Sequence, residues 1–470
     1  MYNQKCASCH ITPRIDVLTK EFWDKKLLPE VAAKMGILEP GYSPLDGLDF
    51  NEQQAVIASG VYGKTQLITP EEWAELRAYI VEMAPDTLNF PPRAAHNFSP
   101  IEGFDIHEVQ LDAYPGTSIS YLAHKEDGLY YADLTGGFFK YDYVKNEAKT
   151  YKRFDKPVVW YEQLEGEKEI FTEIGQLNPT EQISGKLWEF DNSGNQRAIN
   201  DSLHRPVHSL SYDFDKDGML EHVVAEFGHL TGSISLLESD GTKKILWPKP
   251  GAIQTELYDV NQDGRMDLVS LVAQGDETIL ALIQQENGNF VPEYLLRFPP
   301  IYGTSWFELL DYDGDGDLDL LTVHGDNADR TYTQKPYHGL RIALNDGSGK
   351  FKEEFFYQLN GATRVSAADF DEDNDIDIAL VSTFPDYENL PEMAFIYLEN
   401  QGDFQFEERI IEQVDFGRWF LMDKGDIDGD GDLDLMVSSF SYVFSPVPQQ
   451  VQNVWKEKDV DLLILENTLR

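Results

Sequence analysis

The chain has 470 residues, 41% of them hydrophobic and 12% aromatic, proportions that a folded protein needs and a disordered one lacks. Its 83 Asp and Glu against 38 Lys and Arg leave a formal charge of −45, which argues against nucleic acid or anionic membrane as partners and for cations or basic proteins. No apolar run approaches the roughly 18 residues of a membrane helix, so no membrane span is expected in this chain.

Both cysteines lie in the first ten residues, in Cys6-Ala7-Ser8-Cys9-His10. Two thiols at this spacing suit a disulfide, half a zinc site, a redox pair or a haem attachment. A zinc site lacks its second ligand pair here, and a thioredoxin-like pair lacks the preceding strand. Haem attachment explains the third residue too: Cys6 and Cys9 form thioethers with the porphyrin vinyls, and His10 is the proximal iron ligand. Downstream, KEFWDKKLLPEVAAKMGI and FNEQQAVIASG read as amphipathic helices. Thr69-Pro70 caps a further helix, EEWAELRAYIVEM, with Trp73, Leu76, Ile80 and Met83 on one face.

On these motifs residues 1–83 resemble a class I c-type cytochrome domain, a small all-α fold with haem c as cofactor. The resemblance implies a distal methionine, expected at Met35 before Gly36, with Met83 as the fallback. The segment VYGKTQLIT ahead of the last helix contains no methionine, which keeps His96, His107 or five-coordinate iron open as alternatives. Haem c is attached outside the cytoplasm, so the expected location is the periplasm or cell surface. An export signal, with or without a lipid anchor, is expected outside the given chain.

Residues 84–104 mix proline and polar residues without periodicity and read as a linker. Over 105–470 five segments recur: DFDKDGMLE (213–221), DVNQDGRMD (259–267), DYDGDGDLD (311–319), DFDEDNDID (369–377) and DIDGDGDLD (426–434). A period near 50 with short β-branched flanks such as HVVAEF, LVSLVA and IALVST indicates propeller blades. Oxygen side chains at positions 1, 3, 5 and 9 suit one hard cation, and glycine at position 6 suits the tight turn. An EF-hand would need Glu at position 12, where Val224, Ser270, Thr322, Leu380 and Val437 stand instead.

The pattern resembles the FG-GAP/VCBS repeats of the integrin α-subunit propeller. With two units lacking such loops, around 118–142 and 158–177, it implies an all-β seven-bladed propeller holding up to five calcium ions. By position the expected ligands are Asp213, Asp215, Asp217 and Glu221; Asp259, Asn261, Asp263 and Asp267; Asp311, Asp313, Asp315 and Asp319; Asp369, Asp371, Asp373 and Asp377; and Asp426, Asp428, Asp430 and Asp434. The first loop departs by ending in Glu221 and the fourth by placing Asn374 where glycine belongs, so these two are expected to bind more weakly. On the opposite face, long loops and the inner-strand residues His208, Trp306, Arg364 and Arg418 form a candidate ligand face for a glycan, a surface protein or a small substrate.

The expected function is electron transfer by an exported c-type cytochrome, with the propeller docking a redox partner that is basic if charge guides it. Two alternatives stand beside it. One is a propeller-based dehydrogenase passing substrate electrons to its own haem, and the other a non-redox adhesion or carbohydrate-binding propeller. No nucleophile elbow, dinucleotide fingerprint or P-loop commits the propeller to catalysis.

Overall fold

A computed structural model describes the chain except residues 1, 8–9, 64, 91–95, 112–117, 165–167, 327–332, 443–444 and 469–470. Residues from 104 onward form seven antiparallel blades. Their innermost strands are Ile119–Lys125, Val158–Leu164, Pro206–Tyr212, Ala252–Tyr258, Thr304–Leu310, Ala362–Ala368 and Trp419–Gly425, for blades 1 to 7 in turn. Each neighbours the next, and the last neighbours the first, so the ring is closed.

The apolar runs account for this architecture. The second strands Glu221–Glu226, Asp267–Val272, Asp319–His324, Asp377–Ser382 and Asp434–Ser439 are buried along their whole length, because neighbouring blades cover both faces. Outer strands such as Glu147–Arg153 are mostly exposed and carry the charges. Between blades 5 and 6, Leu321, Leu340 and Ile342 pack with Val365, Leu380 and Ile396. Between blades 1 and 2 the filling is aromatic, with Tyr121, Tyr130, Phe138, Tyr161 and Phe171. All five acidic segments join the first strand of a blade to its second.

Blade 7 takes its outermost strand from the beginning of the propeller. Phe104–Val109 pairs antiparallel with Leu462–Asn467, from Phe104 opposite Asn467 to Val109 opposite Leu462. Within the stretch expected to be a linker, Ser99–Pro100 pairs in parallel with Arg409 and Ile410 at the outer edge of blade 6.

Ahead of the propeller lies a helical unit. Lys20–Phe22 runs through a π turn, Trp23–Leu27, into Leu28–Lys34, and is followed by Phe50–Ser59 and Pro70–Met83. Thr69 and Glu72 form a reciprocal capping box at the start of Pro70–Met83, satisfying two amides that the helix leaves open. Trp73, Leu76 and Ile80 are buried with Leu18, Trp23, Leu28 and Ile68. Met83, expected on the same face, is 57% exposed because the helix ends there. The short helix Tyr2–Cys6 lies along this last helix, with the Tyr2 and Tyr79 rings 6.5 Å apart and Lys5 3.4 Å from Glu72.

Candidate functional sites

The acidic loops share one backbone path. Position 4 is left-handed in all five, at Lys216, Gln262, Gly314, Glu372 and Gly429, and so is position 6, at Gly218, Gly264, Gly316, Asn374 and Gly431. Asn374, with φ 74°, adopts the glycine conformation, which asparagine tolerates better than other side chains. This path turns amides inward: in the first loop Asp217 N–H donates to Asp213 and Asp215 at 3.1 Å, and Gly218 N–H donates to Asp213 at 3.0 Å.

Four loops bring three carboxylates together, with ligand atoms within 4.8 Å of one another: Asp213, Asp215 and Glu221; Asp311, Asp313 and Asp315; Asp369, Asp371 and Asp373; Asp426, Asp428 and Asp434. The first and fourth loops, expected to be the weaker, are among them. The second is not, and its chemistry differs. Asp263 is bridged by the guanidinium of Arg265 and accepts from Asn261 Nδ2 at 3.0 Å, so a side-chain cation already lies against the loop.

The position 9 carboxylates are also framework groups. Asp267, Asp319 and Asp434 each accept the amide of loop position 2 on one oxygen and a third-strand amide on the other: Val260 and Gln284, Tyr312 and Asn345, Ile427 and Asn467, all at 2.7–3.0 Å. Asp377 accepts from Asn400 N–H and the Tyr397 hydroxyl. Burial and the neighbouring acids push Asp434 up to about 6 and Asp377 up to about 7.

The expected ligand-face residues divide. Each inner strand of blades 1 to 6 has a bulge between its first and third residues, and the third residues are Tyr121, Trp160, His208, Gln254, Trp306 and Arg364. His208, Trp306 and Arg364 therefore share one level of the ring. Trp160 packs on His208 with centroids 4.0 Å apart, and the Arg364 guanidinium lies 4.4 Å from the Trp306 centroid and 5.6 Å from that of Phe420. Burial pushes His208 down to about 3, so it is neutral at ordinary pH.

Arg418 is a correction to the expected set. It precedes the inner strand of blade 7, is 1% exposed, and donates to the carbonyls of Thr383 and Tyr442 and to the Ser445 hydroxyl. It ties loops of blades 6 and 7 together, and the helix Gln449–Lys458 covers it, with Trp455 6.0 Å away.

One level further along the inner strands the fifth residues include Glu162, Glu256, Glu308 and Asp423, a second ring of acids that the spacing of inner-strand residues does not by itself announce. Burial raises Glu162 to about 7 and Asp423 to about 6.

In the helical unit, Cys6 closes the helix Tyr2–Cys6, and Cys9 lies outside the described residues. His10 Nδ1 is 2.7 Å from the Ile11 carbonyl oxygen. A carbonyl only accepts, so Nδ1 is the donor of this contact and Nε2 takes no part in it. Met35 ends the helix Leu28–Lys34 and packs, partly buried, against the helical core. His96 and His107 belong to the propeller side, paired with Glu408 at 2.8 Å and Glu466 at 3.0 Å.

The helical unit is seated on the propeller face opposite the acidic loops. Glu52, 8% exposed, accepts from the Thr180 hydroxyl at 2.5 Å, Glu181 N–H at 2.7 Å and Gln182 Nε2 at 3.3 Å. Glu181 in turn accepts from Leu230, Thr231 N–H and the Thr231 hydroxyl. On blade 5 the Tyr337 hydroxyl donates to the Val17 carbonyl at 3.2 Å, and Ile301 packs into the helical core.

Residues 259–322, from the acidic loop of blade 4 into the second strand of blade 5, match the FG-GAP-like repeat family. No curated protein sequence matches the chain. Among solved structures, the N-terminal domain of Nup159 is similar at 12% identity, covering 79% of this chain and 97% of that one with a TM-score of 0.44. A luciferin-regenerating enzyme is similar at 12% identity, covering 60% and 88% with a TM-score of 0.38.

Proposed function

We propose that the protein is an exported electron-transfer protein of the periplasm or cell surface, with haem c attached to the helical unit and a calcium-stabilised propeller as its platform. The observation that carries this reading is the Cys6-Ala7-Ser8-Cys9-His10 motif, with His10 Nδ1 committed to a backbone carbonyl and Nε2 left as the ligating nitrogen. Cys6 and Cys9 supply the two thioethers and Met35 is the proposed distal ligand. The bound haem supplies one-electron exchange at iron, and the chain's own residues hold it, orient it and limit its access to water.

The acidic loops support calcium as the second cofactor. Carboxylates converge in four of them, and their backbone path is that of a wrapped hard-cation site. We place the redox partner on surfaces that the helical unit leaves free. The formal charge of −45 favours a basic one, and association then slows as salt screens the attraction.

Docking of the helical unit on the long-loop face favours a second reading, in which a small substrate oxidised in the propeller delivers electrons to the haem. Export with a leader in a host that matures haem c, followed by a pyridine haemochrome assay, tests the first reading. A covalent c-type signal is expected, and its absence overturns it. Haem reduction driven by an added sugar or alcohol would select the second.

A further inference from the structure

Four polar atoms on the inner strands lie in a closed ring with no hydrogen-bond partner: Trp160 Nε1, His208 Nδ1, Gln254 Oε1 and Ser366 Oγ. His208 and Gln254 are each 4% exposed, so neither is solvated from outside. An orphaned buried polar atom costs about 1–3 kcal/mol, and a structure that keeps several at one level has a use for them, as contacts to water or to a ligand.

The sector across blades 4 to 6 has the most specific chemistry. At the upper level Arg364 makes, among the described residues, one hydrogen bond, from Nη1 to the Thr363 carbonyl at 2.8 Å. The Trp306 ring lies 4.4 Å from the Arg364 guanidinium, and the Asp326 charge acts on it through space. Two residues down the strands, about 6.6 Å at 3.3 Å per residue, stand Glu256 and Glu308. Burial, and after it the Glu308 charge, raises Glu256, while the Glu308 Oε2 is taken by Lys424 at 3.1 Å and Ala367 N–H at 3.1 Å. Among the described residues the Gln254 amide alone hydrogen-bonds Glu256, and the Lys424 charge acts on it through space. The upper level thus offers a cation without an ion-pair partner among the described residues, and the lower level two carboxylates that share one lysine, which bonds Glu308 and acts on Glu256 only through space.

We propose that this part of the channel binds a small zwitterion of the amino-acid type, its carboxylate on Arg364 and its ammonium among Gln254 Oε1, Glu256 and Glu308. An ammonium has three donors, and those three groups supply three acceptors. A guanidinium pairs with a carboxylate through two parallel hydrogen bonds, and Arg364 keeps Nε and Nη2 for that purpose. Trp306 gives the aliphatic part of the ligand an apolar wall. A simple anion would leave Glu256 without a charged donor, and a simple cation would leave Arg364 without a carboxylate. The inference does not depend on haem.

The test is calorimetric titration of the full chain, calcium present, with glycine and L-alanine as probes and with acetate and methylammonium as half-ligands. Saturable binding of glycine or L-alanine with a Kd of about 1 mM or tighter is expected, with both half-ligands at least about tenfold weaker. Arg364→Met and the isosteric Glu256→Gln should each weaken binding at least about tenfold, whereas exposed Glu293→Gln should not. Near-UV circular dichroism matching the parent shows that Glu256→Gln is folded. Acetate or methylammonium binding as well as the amino acids overturns the zwitterion assignment. No saturable heat with either amino acid overturns the site and leaves the channel to water.

Discussion

Glu52 of the helical unit and Thr180 of blade 2 meet through a 2.5 Å hydrogen bond inside the interface, and the same carboxylate accepts the Glu181 amide. The contact joins the two parts of the chain through a buried carboxyl group. Glu52→Ala leaves a hydroxyl and an amide unsatisfied, at a cost of about 3 kcal/mol. We expect the helical unit of this variant to melt before the propeller and trypsin to cut faster within residues 84–104. A single calorimetric transition with unchanged proteolysis would refute the role of Glu52 as the tether.

Metal removal should act on the propeller and unevenly. Chelation lowers the propeller's melting temperature, because each occupied site contributes about 3 kcal/mol once calcium exceeds its Kd roughly a hundredfold. Asp315→Asn, in a loop of three converging carboxylates, should lower the number of calcium ions bound. Asp263→Asn should change it least, since Arg265 already serves that carboxylate. Equal losses in the two variants, read by equilibrium dialysis, would show that Arg265 gives way to the ion.

Asn374 lends itself to a backbone test. At φ 74° glycine is unstrained and alanine is not, so Asn374→Ala should destabilise by about 1 kcal/mol relative to Asn374→Gly. The Asn374 amide donates to Asp369 at 3.0 Å in either case, which isolates the conformational effect. Denaturant unfolding at saturating calcium measures the difference.

His208 sets a pH dependence with a definite sign. Its folded value near 3 lies below the unfolded 6.5, so between these limits the unfolded chain binds a proton that the native one refuses. The resulting stability is whole above about pH 6.5 and is lost as pH falls. Between pH 7 and pH 5 the loss is about 2 kcal/mol. His208→Gln removes it, so the stability gap between the parent and this variant should shift by that amount in the variant's favour over the same range. A gap independent of pH would mean that His208 takes up its proton in the folded ring as readily as in the unfolded chain.

Much of the propeller is legible because burial and repetition coincide. HVVAEF and LVSLVA are apolar without alternation since a second strand has blades on both sides, and each follows an acidic loop that marks its beginning. The helix Gln449–Lys458 is hard to read for its shortness: its apolar residues Val451, Val454 and Trp455 have helical spacing but span little more than one turn, and only Trp455 is buried. The strand Phe104–Val109 hides for another reason, its partner being more than 350 residues away. Arg418 stands three residues before Leu421, the third residue of its inner strand, and so anchors loops at the strand entrance instead of reaching the level of His208 and Arg364. The acid ring of Glu162, Glu256, Glu308 and Asp423 emerges only when the strands are set in register.

The pairing of Phe104–Val109 with Leu462–Asn467 also constrains how the chain reaches its fold. Blade 7 exists only when a strand made early finds a hairpin made last, so the ring stays open through nearly the whole of synthesis. Contacts this remote in sequence form slowly, and until they form the early strand shows a bare edge able to pair with another molecule. Recruitment of that edge by a second chain would give a swapped dimer, with the seam of blade 7 as the exchange point.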